Sequence, residues 1–117
     1  MGIREDHAEQ LIKRVMTVLE APALKRYLTE GSWIQAWNEL DIAAQDGKSY
    51  RIDRLVEFDS HLAIIDYKLT IPVEGSEQYE KYRKQLANYQ KVLERIRSDK
   101  PSKAFLISSH GELKQLL

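Results

Sequence analysis

The segment Ile64-Ile65-Asp66-Tyr67-Lys68-Leu69-Thr70 carries the charges that ordinary surface patterning explains least well. Side chains alternate along a strand, so Asp66, Lys68 and Thr70 share one face with Ile64, and Ile65, Tyr67 and Leu69 take the other. An Asp and a Lys two residues apart sit roughly 7 Å apart, close enough to bracket one reacting group. Upstream, Ile52-Asp53-Arg54 offers a second carboxylate on the preceding strand. Facing residues of an antiparallel pair lie ~5 Å apart. Two carboxylates and a lysine in one patch supply hard oxygen ligands for Mg²⁺ or Mn²⁺ beside a cation. A bare Asp-x-Lys also describes a plain ion pair on a solvated sheet face. This one interrupts an otherwise apolar strand, where a charge is costly to bury unless it is paired or bound to metal.

The surrounding elements must place these groups. Leu11, Ile12, Val15, Met16, Val18 and Leu19 recur at helical spacing over residues 5–20, with Asp6 as N-cap and Glu9 as its capping-box partner. Pro22 starts a second short helix through Tyr27 and Leu28, which Gly31 stops. Residues 33–44 are rich in β-formers, and Gln45-Asp46-Gly47-Lys48 is a turn signal. Strands over residues 50–58 and 62–70 follow, joined by Asp59-Ser60-His61, so the three strands read as an antiparallel meander. Pro72 and Gly75 end it. Tyr79, Tyr82, Leu86, Tyr89, Val92, Leu93 and Ile96 then mark a long helix over residues 77–97. Residues 98–102 form a loop, residues 104–108 a short apolar strand, and residues 111–117 a terminal turn or helix. A strand, a long helix and another strand imply a right-handed crossover to a parallel neighbour. The expected class is α/β: a three-stranded antiparallel meander plus a crossover helix and a parallel strand, flanked by helices.

Composition narrows the function classes. A chain of 117 residues suits one domain spanning 1–117. Its apolar content of 43% rules out disorder. With 18 basic and 18 acidic residues there is no general excess of cations, so any grip on DNA is local or shared with a partner. Lys81, Arg83, Lys84, Lys91, Arg95, Arg97 and Lys100 cluster in the second half, a run that by itself describes a solvated helix face. No apolar run approaches the ~20 residues that span a bilayer, and the charged start is no secretory signal. Zero cysteines exclude disulfides, thiolate zinc sites, iron–sulfur clusters and cysteine nucleophiles. No P-loop is present, so no ATP-driven motor is encoded. A cytoplasmic protein without membrane attachment is expected.

Three motifs in order carry a family resemblance: Arg51-Ile52-Asp53-Arg54-Leu55, then Asp66-Tyr67-Lys68, then Gln85-Leu86-Ala87-Asn88-Tyr89. On strand, strand and helix, this trio resembles the RecB-like branch of the PD-(D/E)XK (restriction-endonuclease-like) superfamily, most tightly over residues 50–90. The resemblance implies that Asp53 and Asp66 bind the catalytic Mg²⁺ or Mn²⁺, with the backbone carbonyl of Tyr67 as a further ligand. It implies that Lys68 orients or helps deprotonate the attacking water and stabilises developing phosphate charge. Gln85 and Tyr89, four apart and so on one helix face, would contact DNA near the scissile phosphate, with Lys84 beside them. Read without the strand motifs, Tyr89 is a core residue and Gln85 a surface amide.

Two further ligands are implied more loosely. His7 falls where the family often has an active-site histidine, although so near the chain start it also fits a solvated side chain. Glu39, in Trp37-Asn38-Glu39-Leu40-Asp41, matches a first-strand glutamate; Asp41, two residues on, shares its strand face and is the alternative. The sequence departs from the family where a glycine often stands three residues before the first Asp, a place held here by Tyr50. The implied function is a DNA exonuclease acting in repair or recombination with a helicase. The alternative is a catalytically inactive nuclease-fold module that binds DNA ends or docks a helicase.

Overall fold

The computed structural model describes residues 22–28 and 33–117. The expected first helix, its Asp6 cap, His7 and the Gly31 stop lie outside those residues. Helix α1 spans Pro22–Leu28, and strands β1, β2 and β3 span Gln35–Ala43, Ser49–Glu57 and Leu62–Lys68. Helix α2 spans Glu77–Ile96, and strands β4 and β5 span Ser102–Ser108 and Leu113–Gln115. The strands form one five-stranded sheet in the order β1-β2-β3-β4-β5. β1, β2 and β3 pair antiparallel, and β4 runs parallel to β3 after the crossover through α2. This is the expected α/β arrangement, a meander, a crossover helix and a parallel strand.

One expectation fails at the chain end. Residues 113–115 form a strand, β5, antiparallel to β4, and neither a terminal turn nor a helix. The local pattern is too short to distinguish the two. The free edge of β4 decides, because unpaired backbone groups on a buried strand need partners. β3 also stops earlier than the alternation suggests. It ends at Lys68, where its ladder with β4 ends at Lys68↔Ser108. There the backbone N–H of Ser109 donates to the carbonyls of Lys68 (3.1 Å) and Leu69 (3.3 Å), and its hydroxyl donates to Leu69 (2.8 Å). The chain then bends away.

Each face of the sheet has its own core. On one face Ile52, Leu55, Leu62, Ile64 and Leu106 pack against Tyr79, Leu86, Tyr89, Val92 and Leu93 of α2. On the other, Val56, Ala63, Ile65, Phe105 and Ile107 pack with Leu24 and Tyr27 of α1. β3 therefore buries both of its faces, which explains its continuous apolar run. Ser76 caps α2, its hydroxyl accepting from the Tyr79 N–H at 3.2 Å. At the helix end, Arg97 and Lys100 converge on Glu57 of β2 at 2.8 and 2.7 Å. These two members of the basic run tie the crossover to the sheet, while Lys81, Arg83, Lys84, Lys91 and Arg95 are exposed. The β1–β2 turn follows the Asp-Gly signal, with Gly47 at φ +85°, a conformation that glycine adopts without steric conflict.

Candidate active site at the splayed ends of β2 and β3

The β2–β3 ladder runs as far as Arg54↔Ile65. Continued by one residue it would pair Asp53 with Asp66, but there the strands part. The gap is filled by a side chain: the Tyr67 N–H donates to Asp53 Oδ2 at 2.9 Å in place of a backbone carbonyl. The alternation of β1 and β2 also breaks at this step. Trp37 and Leu40 both pack on the α2 side of the sheet, as do Ile52 and Leu55. A strict period of two would set each such pair on opposite faces. The break centres on Glu39, which holds φ +50° and has no rung opposite Asp53. A non-glycine residue in this left-handed region mid-strand is uncommon.

Asp66 is 5% exposed, and its Oδ2 lies 3.0 Å from Lys68 Nζ. The two side chains thus close most of the separation that their strand spacing allows. The contact is an ion pair without hydrogen-bond geometry, so Asp66 Oδ2 is a buried oxygen with no hydrogen-bond partner. Burial, reinforced by the neighbouring Asp53 carboxylate, pushes the Asp66 carboxyl up to about 6 against the pull of Lys68. Burial also opposes the charge on Lys68, but Asp66, Tyr82 and Asp53 outweigh it and hold the ammonium above its ordinary pKa. Lys68 is a cation at neutral pH.

Helix α2 covers this cluster with aromatic groups. Lys68 Nζ lies 4.4 Å from the centroid of the Tyr82 ring, a cation–π contact. Gln85 Nε2 donates to the Tyr89 hydroxyl at 2.9 Å. Tyr89 is 5% exposed, and its ring meets Tyr50 edge-on at 5.7 Å. Burial first, then the charge of Asp66, raises the Tyr89 hydroxyl pKa, so that phenol stays neutral. The pair expected on one helix face is therefore hydrogen-bonded together, with Tyr89 a core residue beside the charged groups. Lys84 is exposed on the same helix.

Tyr82 was not among the expected site residues. It stands three residues before Gln85 and seven before Tyr89, so the helical period already places it on their face. Tyr50, which stands where the family often has glycine, faces Tyr89. Arg54 points away from the cluster. It donates to the Tyr27 carbonyl at 2.8 Å and to Asn38 Oδ1 at 2.7 Å, and lies over the Trp33 ring at 5.2 Å. In the Ile-Asp-Arg run, Ile52 is core, Asp53 faces the cluster and Arg54 fastens α1 to the opposite face.

Among the described residues no group of three or more His, Asp or Glu side chains comes together. Glu39 is exposed and is not drawn into such a group with Asp53 and Asp66. Asp41 is exposed and pairs with Arg51 at 3.0 Å. It shares no regular face with Glu39, because the left-handed residue breaks the alternation. His7 lies outside the described residues. The donor set that remains is two carboxylates, one with an orphaned buried oxygen, next to the Tyr67 backbone. Hard oxygen donors of this kind fit Mg²⁺ or Mn²⁺.

Residues 4–115 match the family model of the PD-(D/E)XK nuclease superfamily. The chain belongs to this superfamily. The mixed sheet with its crossover helix is consistent with the restriction-endonuclease-like fold. PD-(D/E)XK nucleases generally use divalent metals and act on DNA. No curated protein matches the chain. Among the described residues, no helix is long and apolar enough to cross a membrane.

Proposed function

We propose that this PD-(D/E)XK protein is a Mg²⁺- or Mn²⁺-dependent deoxyribonuclease of the RecB-like branch, an exonuclease that works with a helicase in DNA repair or recombination. The observation that carries the nuclease reading is the meeting of Asp53, Asp66 and Lys68 where β2 and β3 part, with a buried carboxylate oxygen left without a hydrogen bond. The order of the Asp53, Asp66-Tyr67-Lys68 and Gln85–Tyr89 motifs supports the RecB-like assignment.

Asp53, Asp66 and the Tyr67 carbonyl would hold the ion, with Glu39 and His7 as candidate additional ligands. When bound, the ion lowers the pKa of water and polarises the phosphoryl oxygen. Lys68, kept cationic by Asp66 and faced by Tyr82, would orient the attacking water and stabilise charge that develops on the phosphate. Hydrolysis adds the water oxygen to phosphorus and breaks one P–O bond, the departing oxygen leaving with a proton. Gln85, Tyr89 and Lys84 lie on the helix that the DNA would meet.

The test is cleavage of end-labelled linear single- and double-stranded DNA with Mg²⁺ or Mn²⁺, against EDTA and Lys68→Ala. The expected outcome is metal-dependent cutting, reduced at least ~100-fold in the variant, the scale on which an electrostatic stabiliser acts. Release of mononucleotides from ends supports the exonuclease assignment, whereas internal cuts in circular DNA would replace it. A wild type that binds DNA but does not cut it with either metal would favour the inactive, DNA-binding alternative.

A further inference from the structure

Beyond Tyr50 and Tyr89, on the side away from Asp66, a groove opens between the β1–β2 turn and the second half of α2. Its volume is about 490 Å³. Ala44, Tyr50 and Val92 give it apolar walls, and Asn88, Lys91 and Arg95 line it from the helix. Asn88, Lys91, Val92 and Arg95 stand at positions i, i+3, i+4 and i+7, so they share one side of α2. That face adjoins the one bearing Tyr82, Gln85 and Tyr89. Tyr50 belongs to both places: it lines the groove, and its ring meets Tyr89 edge-on. From Tyr50 to Asp53 is three residues of β2, about 10 Å along the strand.

The chemistry of the lining is mixed in a particular way. Two exposed cations one helical turn apart, Lys91 and Arg95, can grip a phosphate. The Tyr50 ring can take a base face, and Asn88 offers an amide to base edges. Asp46 and Glu94 also line the groove, so its formal charge balances. A balanced groove is unsuited to a highly charged ligand such as a polyphosphate. It suits a single nucleotide, with one phosphate and one uncharged base.

We infer that this groove is a subsite for a nucleotide of a single DNA strand flanking the scissile phosphate, held by Lys91, Arg95 and Tyr50. The inference rests on the nuclease reading, which supplies the strand that runs through Asp53. It adds that the enzyme holds its substrate as a single strand beyond the reacting phosphate.

The test uses the full chain and labelled oligothymidylate. Two independent alterations are made: Lys91→Ala with Arg95→Ala, which removes the phosphate grip, and Asn88→Trp, which fills the groove. Lys103→Ala with Lys114→Ala removes the same charge from the β4–β5 edge and serves as control. Asn88, Lys91 and Arg95 are all exposed, so folding is expected to persist in the groove variants. Binding is read by anisotropy in EDTA, where nothing is cut. Both groove variants should weaken long oligothymidylate about tenfold, and the alanine pair should lower the salt dependence by about 0.7 for each phosphate no longer neutralised. The control should bind as the wild type does. With metal added, KM should rise for long oligothymidylate while kcat and the cutting of a dinucleotide, too short to reach the groove, stay unchanged. Equal affinity in the wild type and both groove variants overturns the subsite, whatever the cleavage assay shows. If the wild type never cuts, but both groove variants lose affinity, the groove stands as a nucleotide site for a single strand and the nuclease reading is rejected.

Discussion

Asp53 does two jobs that can be separated by substitution. Its Oδ2 accepts the Tyr67 N–H where the β2–β3 ladder ends, and its charge sits beside Asp66. Asp53→Asn keeps an oxygen for the Tyr67 N–H, so its melting temperature should stay close to that of the wild type. Asp53→Ala leaves that N–H without its acceptor and should destabilise by about 1 kcal/mol, the usual worth of such a bond near the surface. Both variants should lose metal-dependent cleavage. Thermal melts and cleavage assays on the two together check this: equal destabilisation would show that the carboxylate charge, not the hydrogen bond, holds the strand ends. The neighbouring residues show why side-chain type alone is a poor guide. Arg54 is as conspicuous in sequence as Asp53, yet it turns to the other face and binds the end of α1.

At the scale of elements, the anchor of α2 lies far along the sheet from the chemistry. Glu57, on β2, receives both Arg97 and Lys100 from the chain that follows the helix, and Arg97 also holds Asp99. The hydrogen bonds of Arg97 first, then of Lys100, hold the Glu57 carboxyl down at about 2. The unfolded chain has an ordinary glutamate, so between the ordinary value and about 2 the unfolded state binds more protons. Stability from this anchor is therefore full above the ordinary glutamate range and is lost as pH falls through it toward about 2. Glu57→Gln should lower the melting temperature at neutral pH, and its difference from the wild type should shrink steadily as pH falls toward 2. A difference that persists unchanged at low pH would assign the effect to packing. The hairpin joining β1 and β2 and the start of α2 at Glu77 were both legible in the sequence, because local chemistry sets them. The end of β3 was not: Leu69 and Thr70 continue the alternation, and the contacts of Ser109, in the turn after β4 forty residues later, stop it.

For the whole molecule, the sheet exists in part to hold a carboxylate where water does not solvate it fully. Asp66 lies on the strand flanked on both sides, β2 before it and β4 after it, and that placement keeps the charge buried beside Lys68. An ion that binds the folded chain and not the unfolded one must stabilise it. At ten times its dissociation constant, Mg²⁺ or Mn²⁺ should add about 1.4 kcal/mol. A rise in melting temperature of several degrees is expected for the wild type, and none for Asp66→Ala. Differential scanning fluorimetry with and without EDTA reads this without any substrate. An equal rise in both proteins would place the metal elsewhere.

Sequence alone determined the candidate groups and their scaffold: two acidic residues and a lysine on neighbouring strands, a meander, and a crossover helix carrying Gln85 and Tyr89. Those features follow from local periodicity, turn chemistry and motif order, all of which act over a few residues. Tertiary structure decided which of the nominated groups meet. The left-handed turn of φ at Glu39 breaks the alternation of β1, so neither Glu39 nor Asp41 follows the face that period two assigns. Lys68 finds Tyr82 because α2 returns across the sheet, and Tyr89 becomes core because Tyr50 packs against it. The final strand forms because β4 offers an edge to pair with. Each of these outcomes depends on a contact between elements distant in the chain, where free energy is set by packing and pairing and no local pattern records it.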